Sequence, residues 1–194
     1  MIRVAIVDDH HAVRMGLHVA IRSEPGLVPV GAAEGGADLE PLLYRTDPDV
    51  VLLDYHLPGA DGLTLCRRIK RDGPSPGVVL YSAFADPSMT VPAIVAGADA
   101  IVHKGVPARE LFDAIRRVAR GDAALPPLTG ALLEQASQEV DPEDLPILGM
   151  LVDHTPAAEV ATTMRLTNAE LNGRIERMLA RLKVPVPPTA APPT

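Results

Sequence analysis

Five short apolar runs punctuate the first 120 residues: RVAIV (3–7), LVPVGAA (27–33), VVLL (50–53), GVVLYSA (77–83) and DAIVHK (99–104). They are brief, apolar on consecutive positions and rich in β-branched side chains, the pattern of parallel strands buried on both faces. Between them the spacing changes to that of amphipathic helices. In 11–23 the apolar positions are Val13, Leu17, Ala20 and Ile21; in 107–120 they are Leu111, Phe112, Ile115 and Val118. Strand and helix alternating five times predict a doubly wound α/β unit with a five-stranded parallel sheet. Ligands in such sheets bind beyond the carboxyl ends of the strands.

The alternation stops near residue 121. GDAALPPLTGALLEQASQEVD (121–141) opens with Gly and a Pro pair and contains no basic residue; it reads as a linker with about two helical turns at 131–138. A short all-helical region follows. The final ten residues, PVPPTAAPPT, contain five prolines, so neither helix nor central strand is expected there, only a disordered or polyproline-like tail.

Composition narrows the chemistry. The chain has 194 residues, 47% of them hydrophobic, but only 3% aromatic with no Trp, so the core must be aliphatic. The single cysteine, Cys66, excludes an intrachain disulfide framework and a multi-cysteine zinc site, and fits a reducing cytoplasm. Charges within the first ten residues argue against a signal peptide, and no eighteen-residue apolar stretch predicts a membrane span. The net charge of −7 is that of a chain with no general affinity for polyanions, so contact with nucleic acid would need a local basic patch.

The strand ends carry a pattern of their own. The first run ends in Asp8-Asp9, the third in Asp54, the fourth in Ser82 and the fifth in Lys104. Any one of these alone reads as a cap, a turn residue or a surface lysine. Together they lie at one edge of one sheet. Three carboxylates there repel one another unless a cation intervenes, and hard oxygen donors on loops suit Mg²⁺. A lysine and a hydroxyl beside them can grip phosphate oxygens. A carboxylate in that setting can itself accept a phosphoryl group as a nucleophile. His10 and His11 read as loop and helix-start residues, since Mg²⁺ prefers oxygen.

VAIVDDH, VVLLDYHLPGADGL, LYSA and GADAIVHK, in this order and spacing, make residues 1–121 resemble the receiver domain of a two-component response regulator. The resemblance implies a flavodoxin-like sheet of strand order 2-1-3-4-5, with Asp54 accepting a phosphoryl group from a sensor histidine kinase. It implies Mg²⁺ held by Asp8, Asp9, Asp54 and the backbone carbonyl of His56, and a phosphoryl group contacted by Ser82 and Lys104. Two positions depart from the family pattern. Ile101 stands where many members have a switching aromatic ring, and Gly105 stands where many have proline. His56 and Phe84, each two residues beyond an active residue, are expected to tune the lifetime of the acyl phosphate.

Residues 142–184 resemble, more faintly, the LuxR-type helix-turn-helix that follows the receiver in NarL/FixJ regulators. Asp141-Pro142 and Thr155-Pro156 look like helix starts, the second opening a helix over 156–164, with Pro146 delaying the first. The inner face of the second is Ala157, Val160, Ala161 and Met164, and Arg165-Leu166 makes the turn. Thr167 and Glu170 form a capping box for the last helix, and Leu171, Ile175, Met178, Leu179 and Leu182 its apolar stripe. The expected organisation is thus a receiver at 1–121, a linker at 122–141, a divergent helix-turn-helix at 142–184 and a tail at 185–194.

The outward face of that last helix differs from the family. Its first turns carry Glu170, Asn172 and Gly173, and positive charge comes only later, at Arg174, Arg177, Arg181 and Lys183. Residues 142–194 hold five basic and six acidic side chains, a weak basis for an affinity that depends on neutralising phosphates. If the helix reads DNA, Asn172 suits an adenine edge and Arg174, Arg177 and Arg181 suit the backbone. The helix that members commonly use for dimerisation on DNA is replaced by the proline-rich ending. The expectation is a cytoplasmic, homodimeric, phosphorylation-controlled transcription factor that is no enzyme beyond its own phosphorylation and dephosphorylation; the alternative is a regulator that has lost DNA binding and acts by protein contact. A metal-dependent phosphohydrolase is set aside, because His56 stands where its second aspartate would be.

Overall fold

The computed structural model describes residues 1–71, 76–83 and 85–182; Phe84, Lys183 and the proline-rich ending lie outside them. The chain runs β1 (Ile2–Val7), α1 (His11–Ser23), β2 (Leu27–Ala33), α2 (Leu39–Thr46) and β3 (Val50–Asp54). A two-residue hairpin follows, β4 (His56–Leu57) and β5 (Ala60–Asp61), then α3 (Gly62–Lys70), β6 (Gly77–Ser82), α4 (Thr90–Ala96), β7 (Ala100–His103) and α5 (Ala108–Ala119). The remaining helices are α6 (Gly130–Glu139), α7 (Leu145–Val152), α8 (Ala157–Met164) and α9 (Asn168–Arg181).

Five strands form one parallel sheet in the order β2-β1-β3-β6-β7, which is 2-1-3-4-5 when only sheet strands are counted. Alternate residues serve opposite faces, as the period of two requires. Val4, Ile6, Val50, Leu52, Val79 and Val102 pack with Leu17, Ile21, Leu111 and Ile115 under α1 and α5. Ala5, Val7, Val51, Leu53, Val78 and Leu80 pack on the other side with Leu39, Leu42, Leu63, Leu65 and Ile69 of α2 and α3, and with Val91 and Val95 of α4. Pro29 cannot donate to a ladder, and it sits where that matters least: on edge strand β2, beside a register shift between Val4 and Ala5.

That second face does not end with the sheet and its own helices. Ala136, Ile147, Leu148, Leu151, Val160, Leu171, Ile175, Met178 and Leu179 belong to the same buried cluster. Helix α4 lies between the two parts, touching α3 on one side and α6, α7 and α9 on the other. All seven of its residues are buried as a result. The segment after α5 is also tied down. Ala124 donates from its backbone N–H to the Asp99 carbonyl (2.7 Å) and bridges Ala100 on the outer edge of β7.

The helix boundaries follow local chemistry. Asp61 caps α3 by accepting from the Thr64 N–H at 2.7 Å. Thr167 and Glu170 form the reciprocal capping box of α9. Pro146 falls in the first turn of α7, after a short 3₁₀ turn over Pro142–Asp144, so that helix starts late. Helix α8 starts at Ala157 with Pro156 at its cap position and no side-chain cap bond, so Thr155 does not cap it. Arg165 takes the left-handed conformation (φ 55°) that turns the chain from α8 into α9.

Candidate functional site

The carboxyl ends of β1 and β3 and the loop after β7 bring Asp8, Asp54 and Lys104 together. The Lys104 Nζ donates to Asp8 Oδ2 at 2.6 Å and to Asp54 Oδ2 at 2.7 Å. Both carboxylates are almost fully buried. Burial pushes the Asp54 carboxyl above its ordinary value; the hydrogen bond and charge of Lys104 pull it down without cancelling the rise, and Asp8 adds to it. Burial alone would lower the Lys104 ammonium, but its bonds to Asp54 and Asp8 outweigh that and hold it above the usual lysine value.

The loops complete the pocket. The His56 N–H donates to Asp54 Oδ1 at 3.3 Å, and the His10 N–H donates to Asp8 Oδ1 at 2.8 Å. Ser82 is fully buried at the end of β6, and its carbonyl accepts from the Lys104 N–H at 2.8 Å. Ile101 lies on β7, partly buried against the core beneath α4. Gly62 lets the loop after Asp54 fold back: its N–H donates to the Tyr55 carbonyl at 2.7 Å, and a Cβ there would meet the Asp54 carbonyl oxygen at 2.5 Å.

Two further side chains shape the site. Arg14 is buried in register with Leu17 and Ile21 on α1, where an apolar residue is expected. Its guanidinium donates to the carbonyls of Asp8 (2.7 Å) and Asp9 (2.9 Å) and pairs with Glu34. It thereby fixes the acidic loop. The legible signal was a cation on an apolar stripe; the expected face of α1 instead included Val13 and Ala20, which are only partly buried. Tyr81 is the second. Its hydroxyl lies 3.4 Å from the Lys104 carbonyl, and Lys104 Nζ lies 5.8 Å from its ring centroid.

One ligand atom each from Asp8, Asp9, His10 and Asp54 falls within 4.8 Å of the others. Asp9 Oδ1 is buried, and the polar side-chain atom facing it is His10 Nδ1, at 2.6 Å. Three carboxylates converging so closely, with one lysine among them, fit a small divalent cation. The one thiol, Cys66, is buried and pushed up to about 12 by that burial, so it offers no nucleophile.

The residues expected to face DNA have a different setting. Asn172 Oδ1 accepts a hydrogen bond from the buried Arg67 of α3. Arg174 pairs with Asp144, itself 1% exposed, at 3.0 Å and with Glu143 at 3.3 Å. Arg181 pairs with Asp141 at 2.7 Å, while Arg177 is exposed. Helix α9 thus turns Asn172 toward the receiver.

A five-stranded parallel sheet with a lysine bridging two buried aspartates at its carboxyl edge defines a receiver unit. The response regulator receiver domain family matches residues 4–116, and the chain belongs to it. It is 28% identical to the transcriptional regulatory protein LiaR of Bacillus subtilis, over 95% of this chain and 92% of that one. It is 29% identical to the DNA-binding transcriptional activator DevR/DosR of Mycobacterium tuberculosis, over 94% of this chain and 88% of that one. Among solved structures, a LuxR-family two-component response regulator from Aurantimonas superposes with a TM-score of 0.61 at 27% identity, over 72% of this chain and 97% of that one. No described helix is long and apolar enough to cross a membrane.

Proposed function

We propose that this chain is a cytoplasmic two-component response regulator that takes a phosphoryl group on Asp54 from a sensor histidine kinase and regulates transcription. The observation that carries this reading is the Lys104 ammonium bridging Asp8 and Asp54. An Asp54 carboxylate oxygen attacks phosphorus, the bond from phosphorus to the donor's imidazole nitrogen breaks, and the histidine leaves with its electron pair. Lys104 is placed to move from the carboxylates onto a phosphoryl oxygen, with Ser82 on the neighbouring strand end. Asp8, Asp9, Asp54 and the His56 carbonyl would hold Mg²⁺, which when bound neutralises charge between carboxylate and phosphoryl oxygens. Hydrolysis of the acyl phosphate at the same site resets the protein, so its catalysis is confined to its own modification.

The division we propose is a receiver at 1–121, a linker at 122–141, an output unit at 142–184 and a tail at 185–194. Asn172 is the base-reading residue of α9, and Arg174, Arg177 and Arg181 are its phosphate contacts, acting as a homodimer. The relatives' names favour transcription control over the alternative of protein contact alone. Asn172 is bonded to Arg67 of α3, so phosphorylation must loosen α9 from α3 before that amide meets DNA, and Arg174 and Arg181 must exchange Glu143, Asp144 and Asp141 for phosphates.

The test has two arms. Acetyl phosphate should add one phosphoryl group to the wild-type chain by intact-mass measurement and none to Asp54→Asn. DNA affinity of the beryllofluoride-bound protein should fall steeply across a salt series. No binding at low salt by the folded protein would overturn the transcription arm alone.

A further inference from the structure

We propose that His10 is a nitrogen donor to the cation pocket and biases it toward first-row transition cations such as Mn²⁺ and Co²⁺ over Mg²⁺. The inference rests on the reading of Asp8, Asp9 and Asp54 as that pocket. His10 Nδ1 pairs with Asp9 Oδ1 at 2.6 Å and lies 3.5 Å from Asp8 Oδ1, contacts that a cation seated between them would replace. Six-coordinate ligands on bonds of about 2.1 Å stand roughly 3 Å apart when adjacent and roughly 4 Å apart when opposite. The spacings at His10 bracket the first figure, and the four ligand atoms all lie within 4.8 Å of one another, so a modest inward movement would bring them to the second.

The backbone sets the ring beside the carboxylates. The His10 N–H is bonded to Asp8 Oδ1, and residue 10 precedes the first turn of α1 in an extended conformation (φ −80°, ψ 108°). Its side chain therefore folds back over the carboxylates. The neighbouring imidazole does not: His11 Nδ1 lies 3.4 Å from Arg14 Nη2. With Asp8, Asp9 and Asp54 supplying oxygen, His10 makes the set mixed. A neutral imidazole adds little for Mg²⁺, which holds to oxygen and water, and progressively more from Mn²⁺ to Co²⁺. The ring is largely exposed, so it can turn out of the way when Mg²⁺ occupies the oxygens.

The experiment is calorimetric titration of the full chain with Mg²⁺, Mn²⁺ and Co²⁺, for wild type, His10→Ala and His10→Gln. Both variants should lose about tenfold in Mn²⁺ affinity, and more for Co²⁺, while Mg²⁺ affinity stays within about twofold. Pulsed electron paramagnetic resonance of the Mn²⁺ complex should show a ¹⁴N coupling in wild type that disappears in both variants. Equal losses for all three cations, no loss for any, or a ¹⁴N coupling that survives in the variants would overturn the proposal. Asp9→Asn and Asp54→Asn serve a separate question: undiminished Mg²⁺ binding in both would show that the carboxylates are not the cation's seat, which is a failure of the underlying reading.

Discussion

The guanidinium of Arg67, on α3 of the receiver, donates a hydrogen bond to the side-chain oxygen of Asn172, the residue of α9 best suited to a base edge. Burial lowers the Arg67 guanidinium, with Glu176 of α9 acting against that. One side chain thus occupies the amide that DNA would need. Arg67→Met keeps the stem and removes the donor. We expect it to raise the DNA affinity of the unphosphorylated protein toward that of the beryllofluoride-bound wild type, read by fluorescence anisotropy at one salt concentration. An unchanged difference between the two states would mean that other contacts hold α9.

Because one cluster of buried side chains runs from the sheet through α4 into α7, α8 and α9, the two parts should unfold together. The chain has three tyrosines and no tryptophan, and Tyr44, Tyr55 and Tyr81 all lie before residue 121. Tyrosine fluorescence therefore reports the receiver, whereas far-ultraviolet circular dichroism also reports the C-terminal helices. Their urea midpoints should coincide. Separate midpoints would show that the output helices leave first.

At Gly62 an added methyl would meet backbone, the Asp54 carbonyl oxygen at 2.5 Å and Tyr55 Cα at 2.7 Å, and backbone cannot step aside as a side-chain tip can. Gly62→Ala should cost about 1–3 kcal/mol. Since the strain falls on the peptide of Asp54, the proposed acceptor, it should also slow phosphorylation by acetyl phosphate, which intact-mass time courses will measure.

The raised Asp54 carboxyl gives a pH dependence of definite sign. The folded state holds this proton more tightly than the unfolded chain, whose carboxyl titrates near about 3.9. Its ionisation therefore works against folding, increasingly as pH rises from there through the folded value. Asp54→Asn removes that titration and leaves Lys104 its bond to Asp8. In cation-free buffer the variant should be the more stable at pH 7, with the gap closing toward pH 4. A wild type that gains on the variant as pH rises would contradict the assignment. Denaturant midpoints across that range decide it.

Thr167 accepts from the Glu170 N–H at 3.2 Å, and the Glu170 carboxylate accepts from the Thr167 N–H at 2.8 Å. Thr167→Ala should cost about 1 kcal/mol, or a fall of about 2–4 °C in Tm for a chain of this size, with phosphorylation unaffected.

The receiver was legible because its signals are local: apolar runs with strand spacing, and acidic or basic residues at their carboxyl ends. The capping box and stripe of α9 could be read for the same reason. What could not be read depends on distant partners. Arg67 looks like one charge among three in the second half of α3, and nothing in its neighbourhood announces Asn172, 105 residues away. Helix α4, TVPAIVA, has Thr90 as its one polar side chain, but which elements bury it on every side follows only once the C-terminal helices cover it. Arg14 was missed for a different reason: an arginine on an apolar stripe is ordinarily assigned to the solvent side.

The bridge from Ala124 to the rim of β7 has a consequence for the chain among its own copies. The outer strand of an open sheet presents unsatisfied backbone groups that invite pairing with another molecule. Here the Asp99 carbonyl is already taken by the segment leaving α5. The stretch that connects the two halves therefore also closes the start of that rim to pairing with another copy.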